Sequence, residues 1–126
     1  MRLTNGTLST LMAYKRGGIY LANLNPTRGT EPGKIRPCMV MQSNLLNDVG
    51  HPSTTVLPLT TQLIEGAEPL RLRLVSRDGL EYDSDVMLDQ TRTIDNRRIN
   101  GDMLTLLSEQ EMGKIELFMR IVLGLE

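Results

Sequence analysis

The clearest pattern in the chain lies at Leu70–Val75 (LRLRLV), where Leu70, Leu72 and Leu74 alternate strictly with Arg71 and Arg73. A period of two marks a half-buried strand, and the arginine side reads as its solvated face. Other strand-sized runs flank it. Ile19–Leu24 is short and rich in strand formers, and Cys38–Gln42 (CMVMQ) is mainly apolar and reads as a buried strand. Thr54–Leu59 predicts a further strand; Pro58 lacks an amide donor, which puts that strand at a sheet edge or a bulge. Asp85–Leu88 and Thr91–Ile94 continue the series. Between them, Asn25–Pro37 (NPTRGTEPGKIRP) holds three prolines and two glycines and predicts a loop, Asn44–Ser53 a second loop, Asp78-Gly79 a tight turn, and Asn96–Asp102 another turn.

The chain ends differently. Ser108 followed by Glu111 is a capping box, which satisfies the first orphan amides of a helix. Met112, Ile115, Phe118, Met119, Val122 and Leu125 then recur at helical spacing, with Gly124 where the helix would fray. This Met and Phe stripe is core packing. Five or six short strands and one terminal helix predict a mainly β fold: a small antiparallel barrel-like sheet with appended helix. Residues 1–13 are polar and aperiodic and read as a flexible N-terminal extension, leaving 14–126 as a single domain.

Composition adds limits. Of 126 residues, 40% are hydrophobic and 23% charged, the balance of a soluble globular protein. No apolar run approaches the ~20 residues that span a bilayer, no signal-peptide core is present, and the lone Cys38 cannot form an internal disulfide, so the expected location is the cytoplasm, away from membranes. The net charge of −1 hides an asymmetry: residues 1–64 carry six Lys/Arg against two acids, residues 65–126 eight against thirteen. That argues against a broad duplex-DNA binder and leaves room for a short RNA segment in a local basic groove. One His and one Cys give no metal-ligand cluster, and Asp83 and Asp85 beside a turn read as a solvated edge, so no metal or other cofactor is expected. His51, before Pro52 in a loop, reads as an exposed side chain, and Cys38 as a small core residue.

The segment RGTEPGKIRP (Arg28–Pro37) is the richest in candidate chemistry. It ends on Arg36, at the junction of a loop and a buried strand, where a fixed guanidinium can present its planar fork to a phosphate. The longer stretch KRGGIYLANLNPTRGTEPGKIRPCMVMQ resembles the N-terminal signature of the MazF/PemK toxins. VLPLTTQ (Val56–Gln62) is similar to that family's next strand, and DVMLDQTRTIDNRRI (Asp85–Ile99) to its D-Q-x-R-T/S-I-D segment. The match runs in order from Lys15 to about Leu125. Each motif alone is weak; together they are specific.

The resemblance implies an SH3-like barrel of the CcdB/PemK kind that forms a homodimer, cuts single-stranded RNA or mRNA at short motifs, and is inhibited by a cognate antitoxin with a flexible acidic tail. Carried over by position, Arg36 and Thr60 correspond to catalytic residues and Glu31 to a loop glutamate; Thr30, Thr61, Gln62, Asp89 and Gln90 stand beside them as RNA contacts. There are departures. Gly18 stands where many relatives carry an acid, Pro32 follows Glu31 in place of Gln, and Met87 stands two residues before Asp89 where PemK-type members have an arginine. The last of these favours the arrangement built on Arg36 and Thr60. The substrate's own 2′-OH is then the nucleophile, without a metal, with Arg36 polarising the phosphate and Glu31 and Asp89 as candidate bases. Two other readings remain: a CcdB-like toxin that binds DNA gyrase, and a non-catalytic RNA-binding relative.

Overall fold

The computed structural model describes residues 13–26, 29–31 and 34–126. All but the last residue of the expected N-terminal extension lies outside that range. Seven strands form one antiparallel sheet: β1 (Gly18–Asn23), β2 (Ile35–Val40), β3 (Ser53–Thr60), β4 (Arg71–Leu74), β5 (Ser84–Met87), β6 (Arg92–Asp95) and β7 (Ile99–Leu106). The order is β4-β5-β3-β2-β1-β7, with β6 also on β3. Among the described residues there are also a short helix α1 (Asn44–Asp48) and a long helix α2 (Glu109–Leu123).

The central strands feed two cores, one on each face. Ile19, Met39 and Leu57 stand side by side across β1, β2 and β3 and pack with Ile115, Phe118 and Met119 of α2. Their neighbours Tyr20, Cys38, Val40 and Val56 point the other way, onto Ile94 of β6 and Ile99 of β7. Both faces of β2 are therefore covered, which is why its sequence is a continuous apolar run instead of an alternating one. Helix α2 starts as its sequence predicts. Ser108 Oγ accepts the Glu111 amide at 3.1 Å, Glu111 Oε1 accepts the Ser108 amide at 2.8 Å, and Gly124 ends the helix in the left-handed region.

Several expectations need correction. The loop after Asn25 ends sooner, because Ile35, Arg36 and Pro37 pair with β1 as part of β2. The second loop contains α1, capped by Ser43. Pro58 is not on an edge strand. β6 pairs β3 as far as Val56 and β5 takes it up at Leu59, so Pro58 falls in a stretch that neither pairs. The expected turn at 96–102 holds only a 3₁₀ turn at Asn96–Arg98, and the chain then enters β7.

The sheet curls as a small barrel does, without a closed ladder: β4 and β7 are its two ends. The tip of the β4–β5 hairpin spans the gap. The Gly79 amide donates to the Leu104 carbonyl at 3.0 Å, and Thr105 Oγ1 donates to Asp78 Oδ2 at 2.7 Å. A Cβ at Gly79 would stand 3.1 Å from both Cα and O of Leu104, so only glycine fits without displacing β7. Arg77, at the same tip, holds the start of α2 through both oxygens of Glu111, at 2.6 and 2.8 Å.

Two outcomes are expected. Gly79→Ala should cost about 1–3 kcal/mol, as overpacking against fixed backbone does, seen as a lower urea midpoint with little change in slope. The Arg77 bond, helped by the Ser108 amide and opposed by burial, holds the Glu111 pKa down from 4.5 to about 2. A depressed carboxylate stabilises the fold above its unfolded pKa and loses that contribution as pH falls through the folded value. Arg77→Ala should therefore be less stable than wild type at pH 7, and urea titrations should show the gap closing between pH 4.5 and 2.

Candidate active site

The ladder between β2 and β3 stops at Cys38 and Pro58. Continued by two residues, the register would set Pro37 against Leu59 and Arg36 against Thr60. Pro37 has no amide to donate there, and β2 instead stays on β1, with Leu21 opposite Pro37 and Ala22 opposite Arg36. The strands splay, and an open groove of about 300 Å³ forms between them, lined by Lys34, Arg36 and Pro37 on one side and Thr60, Thr61 and Gln62 on the other, with Ser84 at its end.

Two predicted residues meet across this groove. Half-buried Arg36 reaches over the splay, and its Nη1 donates to the Leu59 carbonyl at 3.4 Å. Thr60 is only 8% exposed, and its Oγ1 accepts the Gln62 amide at 3.1 Å. Accepting that bond leaves the hydroxyl's own proton to donate to a ligand oxygen. A guanidinium and a hydroxyl on facing walls, with Lys34 beside them, form a receptor for an anion such as a phosphate. Thr61 and Gln62 line the same groove. Sequence reasoning missed Lys34 and Ser84; the cue for Lys34 was a second cation two residues before Arg36.

The other predicted residues stand apart. Thr30 and Glu31 are exposed on the loop leading into β2 and do not line the groove. Asp89 and Gln90 lie on a 3₁₀ turn beyond the far end of β5, next to α2. Ser84 at the near end of that strand is the one that reaches the groove. His51 sits by Ser53, at the opposite end of β3 from Thr60; its Nδ1 lies 2.9 Å from the Ser53 carbonyl, and the ring is half-buried. Cys38 is buried, and burial pushes its thiol up to about 12 against the pull of Arg92 and Arg36, so it is an inert core residue.

One expectation fails outright. Arg71 and Arg73 do not form a solvated face, and Asp85 is not a solvated edge. Asp85 is 1% exposed, with Oδ1 accepting Arg73 Nε at 2.5 Å and Oδ2 accepting Arg71 Nη1 at 3.3 Å and the Ile64 amide at 3.0 Å. Burial alone would raise its pKa; these bonds, Arg73 foremost, outweigh burial and hold it below the usual range. Asp83 instead accepts the Ser76 amide. Among the described residues, no group of three or more His, Cys, Asp or Glu is placed to hold a metal ion, and no helix is long and apolar enough to cross a membrane.

Known proteins share this architecture. Residues 15–123 match the family described as PemK-like, MazF-like toxin of type II toxin–antitoxin system. The endoribonuclease EndoA of Bacillus subtilis (strain 168) is 36% identical over 118 residues, covering 90% of this chain and 97% of that one. Two solved structures, each 22% identical and covering 90% of this chain, share the fold. MazF from Deinococcus radiodurans superimposes with a TM-score of 0.74 over 98% of its length, and a mycobacterial endoribonuclease solved with its cognate antitoxin with 0.67 over 96%. The family match over residues 15–123 and the 36% identical relative settle the family: the chain belongs to the PemK-like, MazF-like toxins of type II toxin–antitoxin systems.

Proposed function

We propose that this toxin is an endoribonuclease that cuts single-stranded RNA by attack of the substrate's own 2′-hydroxyl. The observation that carries the reading is the meeting of Arg36 and Thr60 across the splay between β2 and β3. A relative 36% identical is named an endoribonuclease, which supports it.

In this reading a non-bridging phosphate oxygen takes hydrogen bonds from Arg36 and from the Thr60 hydroxyl. The 2′-oxygen forms a bond to phosphorus, the bond from phosphorus to the 5′-oxygen breaks, and the departing 5′-oxygen takes a proton from water, so that the products are a 2′,3′-cyclic phosphate and a 5′-hydroxyl. Negative charge grows on the phosphate as this happens, and a guanidinium placed there beforehand stabilises it without reorganising. Glu31, exposed on the loop that enters β2 and outside the groove's lining, is carried over from the family resemblance alone as acceptor of the 2′-hydroxyl proton. Thr61 and Gln62 hold the strand in the groove; Thr30, Asp89 and Gln90 enter only as contacts to flanking nucleotides. The reading includes a cytoplasmic homodimer without cofactor. It also includes a cognate antitoxin as partner, by analogy with the mycobacterial endoribonuclease solved with its own.

Single-turnover cleavage at saturating protein tests these roles. Arg36→Ala should slow cleavage by ~10²–10³, the usual cost of removing one preorganised donor, with circular dichroism showing an intact fold. Arg36→Lys keeps the charge but not the fork and should recover little. Thr60→Val should cost less than Arg36→Ala. An Arg36→Ala protein that cuts at the wild-type rate would sink the assignment. The nucleophile has its own check: RNA with a 2′-deoxy sugar at the cut should resist, while ordinary RNA is cleaved in EDTA. Activity that is lost in EDTA and restored by Mg²⁺ would replace this mechanism with a metal-dependent one.

A further inference from the structure

Residues 61–70, between β3 and β4, belong to no strand or helix, yet their first half is tied to the sheet at four points. Arg71 Nη1 donates to the Gln62 carbonyl at 2.8 Å, Asp85 Oδ2 accepts the Ile64 amide, Arg73 Nη2 donates to the Ile64 carbonyl at 3.4 Å, and Arg73 Nη1 meets Glu65 Oε1 at 3.3 Å. All four ties pass through three side chains, Arg71, Arg73 and Asp85, and the two arginines meet on the buried carboxylate of Asp85. The register puts that carboxylate in a row with the groove, since Thr60 pairs with Asp85 and Asp85 with Arg73 across β3, β5 and β4.

Gln62 links this cluster to the chemistry. Its carbonyl is held by Arg71, and its amide is accepted by Thr60 Oγ1. A threonine hydroxyl can turn about its C–O bond, and its value as a donor depends on where its proton points. The Gln62 amide occupies the acceptor side of Thr60 and so directs the proton away from it, toward the groove. Resting on the reading above, we propose that Asp85 and Arg71 are positioning residues for RNA cleavage: by fixing the Gln62 backbone they set the Thr60 hydroxyl as a donor to the phosphate. A buried carboxylate shared by two arginines is a costly device for stability alone, whereas a wall that must not drift by an ångström requires stiffness, because such a drift can cost ~10² in rate.

A double-mutant cycle between Arg71→Ala and Thr60→Val separates this from simple structural support. Arg71→Ala should slow single-turnover cleavage about 10-fold, below that ~10² ceiling, and should slow the Thr60→Val enzyme no further. Asp85→Asn should behave as Arg71→Ala does; where it impairs folding, Arg71→Ala, whose side chain is partly exposed, decides alone. Hydrogen exchange at the Gln62 amide is the readout independent of turnover, expected to quicken in both Arg71→Ala and Thr60→Val. Equal losses in both backgrounds, an unchanged Gln62 amide, or a loss confined to salt-sensitive RNA affinity would overturn the proposal and leave the ribonuclease reading intact. The last of these would make Arg71 a direct contact to the RNA backbone. If Thr60→Val cuts like wild type, the catalytic role of Thr60 falls and this inference falls with it.

Discussion

Everything at the groove depends on where one ladder ends. β2 and β3 pair through Cys38 and Pro58 and no further. Had β2 carried an ordinary residue at position 37, its amide would have been available to the Leu59 carbonyl, and the space between the strands would have closed. Proline removes that donor, and the Arg36 side chain supplies a longer one to the same carbonyl. A missing backbone hydrogen bond thus becomes a gap with a cation fixed across it. The strands outside the gap stay firm because β1 holds β2 on its other side and β5 holds Thr60.

Stiffness on the second wall comes from another source. The chain after Thr60 leaves the sheet, and no ladder can hold it. Charge does that work. Asp85 is withdrawn from water and satisfied by two guanidinium groups and an amide, and the same arginines reach the loop backbone. No buried side-chain polar atom among the described residues lacks a partner, so the network is complete in the sense that makes buried charge tolerable.

Local signals were legible in the sequence and non-local ones were not. The α2 cap, its buried stripe and the Asp78-Gly79 turn are each decided within a few residues and stand where the pattern puts them, except that Leu125 lies past the Gly124 cap and is exposed. β7 escaped notice because it ends the sheet and most of INGDMLTL is exposed, leaving no alternation to read. The five residues of α1 are too few to show a helical period. For Arg71 and Arg73 the period was correct and the environment wrong, since an arginine face looks the same in sequence whether it meets water or a buried carboxylate. Only the pairing of β4 with β5 tells them apart. Likewise, Arg36 and Thr60 were each visible through family resemblance, but their apposition follows from a register that no stretch of sequence announces.

The burial of Cys38 gives the molecule an internal reporter of its own integrity. The side chain sits at the centre of β2, between Tyr20 of β1 and Pro58 of β3, at the last rung before the groove. With its pKa near 12, almost no thiolate exists at neutral pH while the strand is in place, and the thiolate is the reactive form. Alkylating reagents will therefore reach it chiefly through openings that part β2 from its neighbours, the same separation that would dismantle the groove. Labelling kinetics at this one sulfur count the moments when the sheet, and with it the wall carrying Arg36, comes apart.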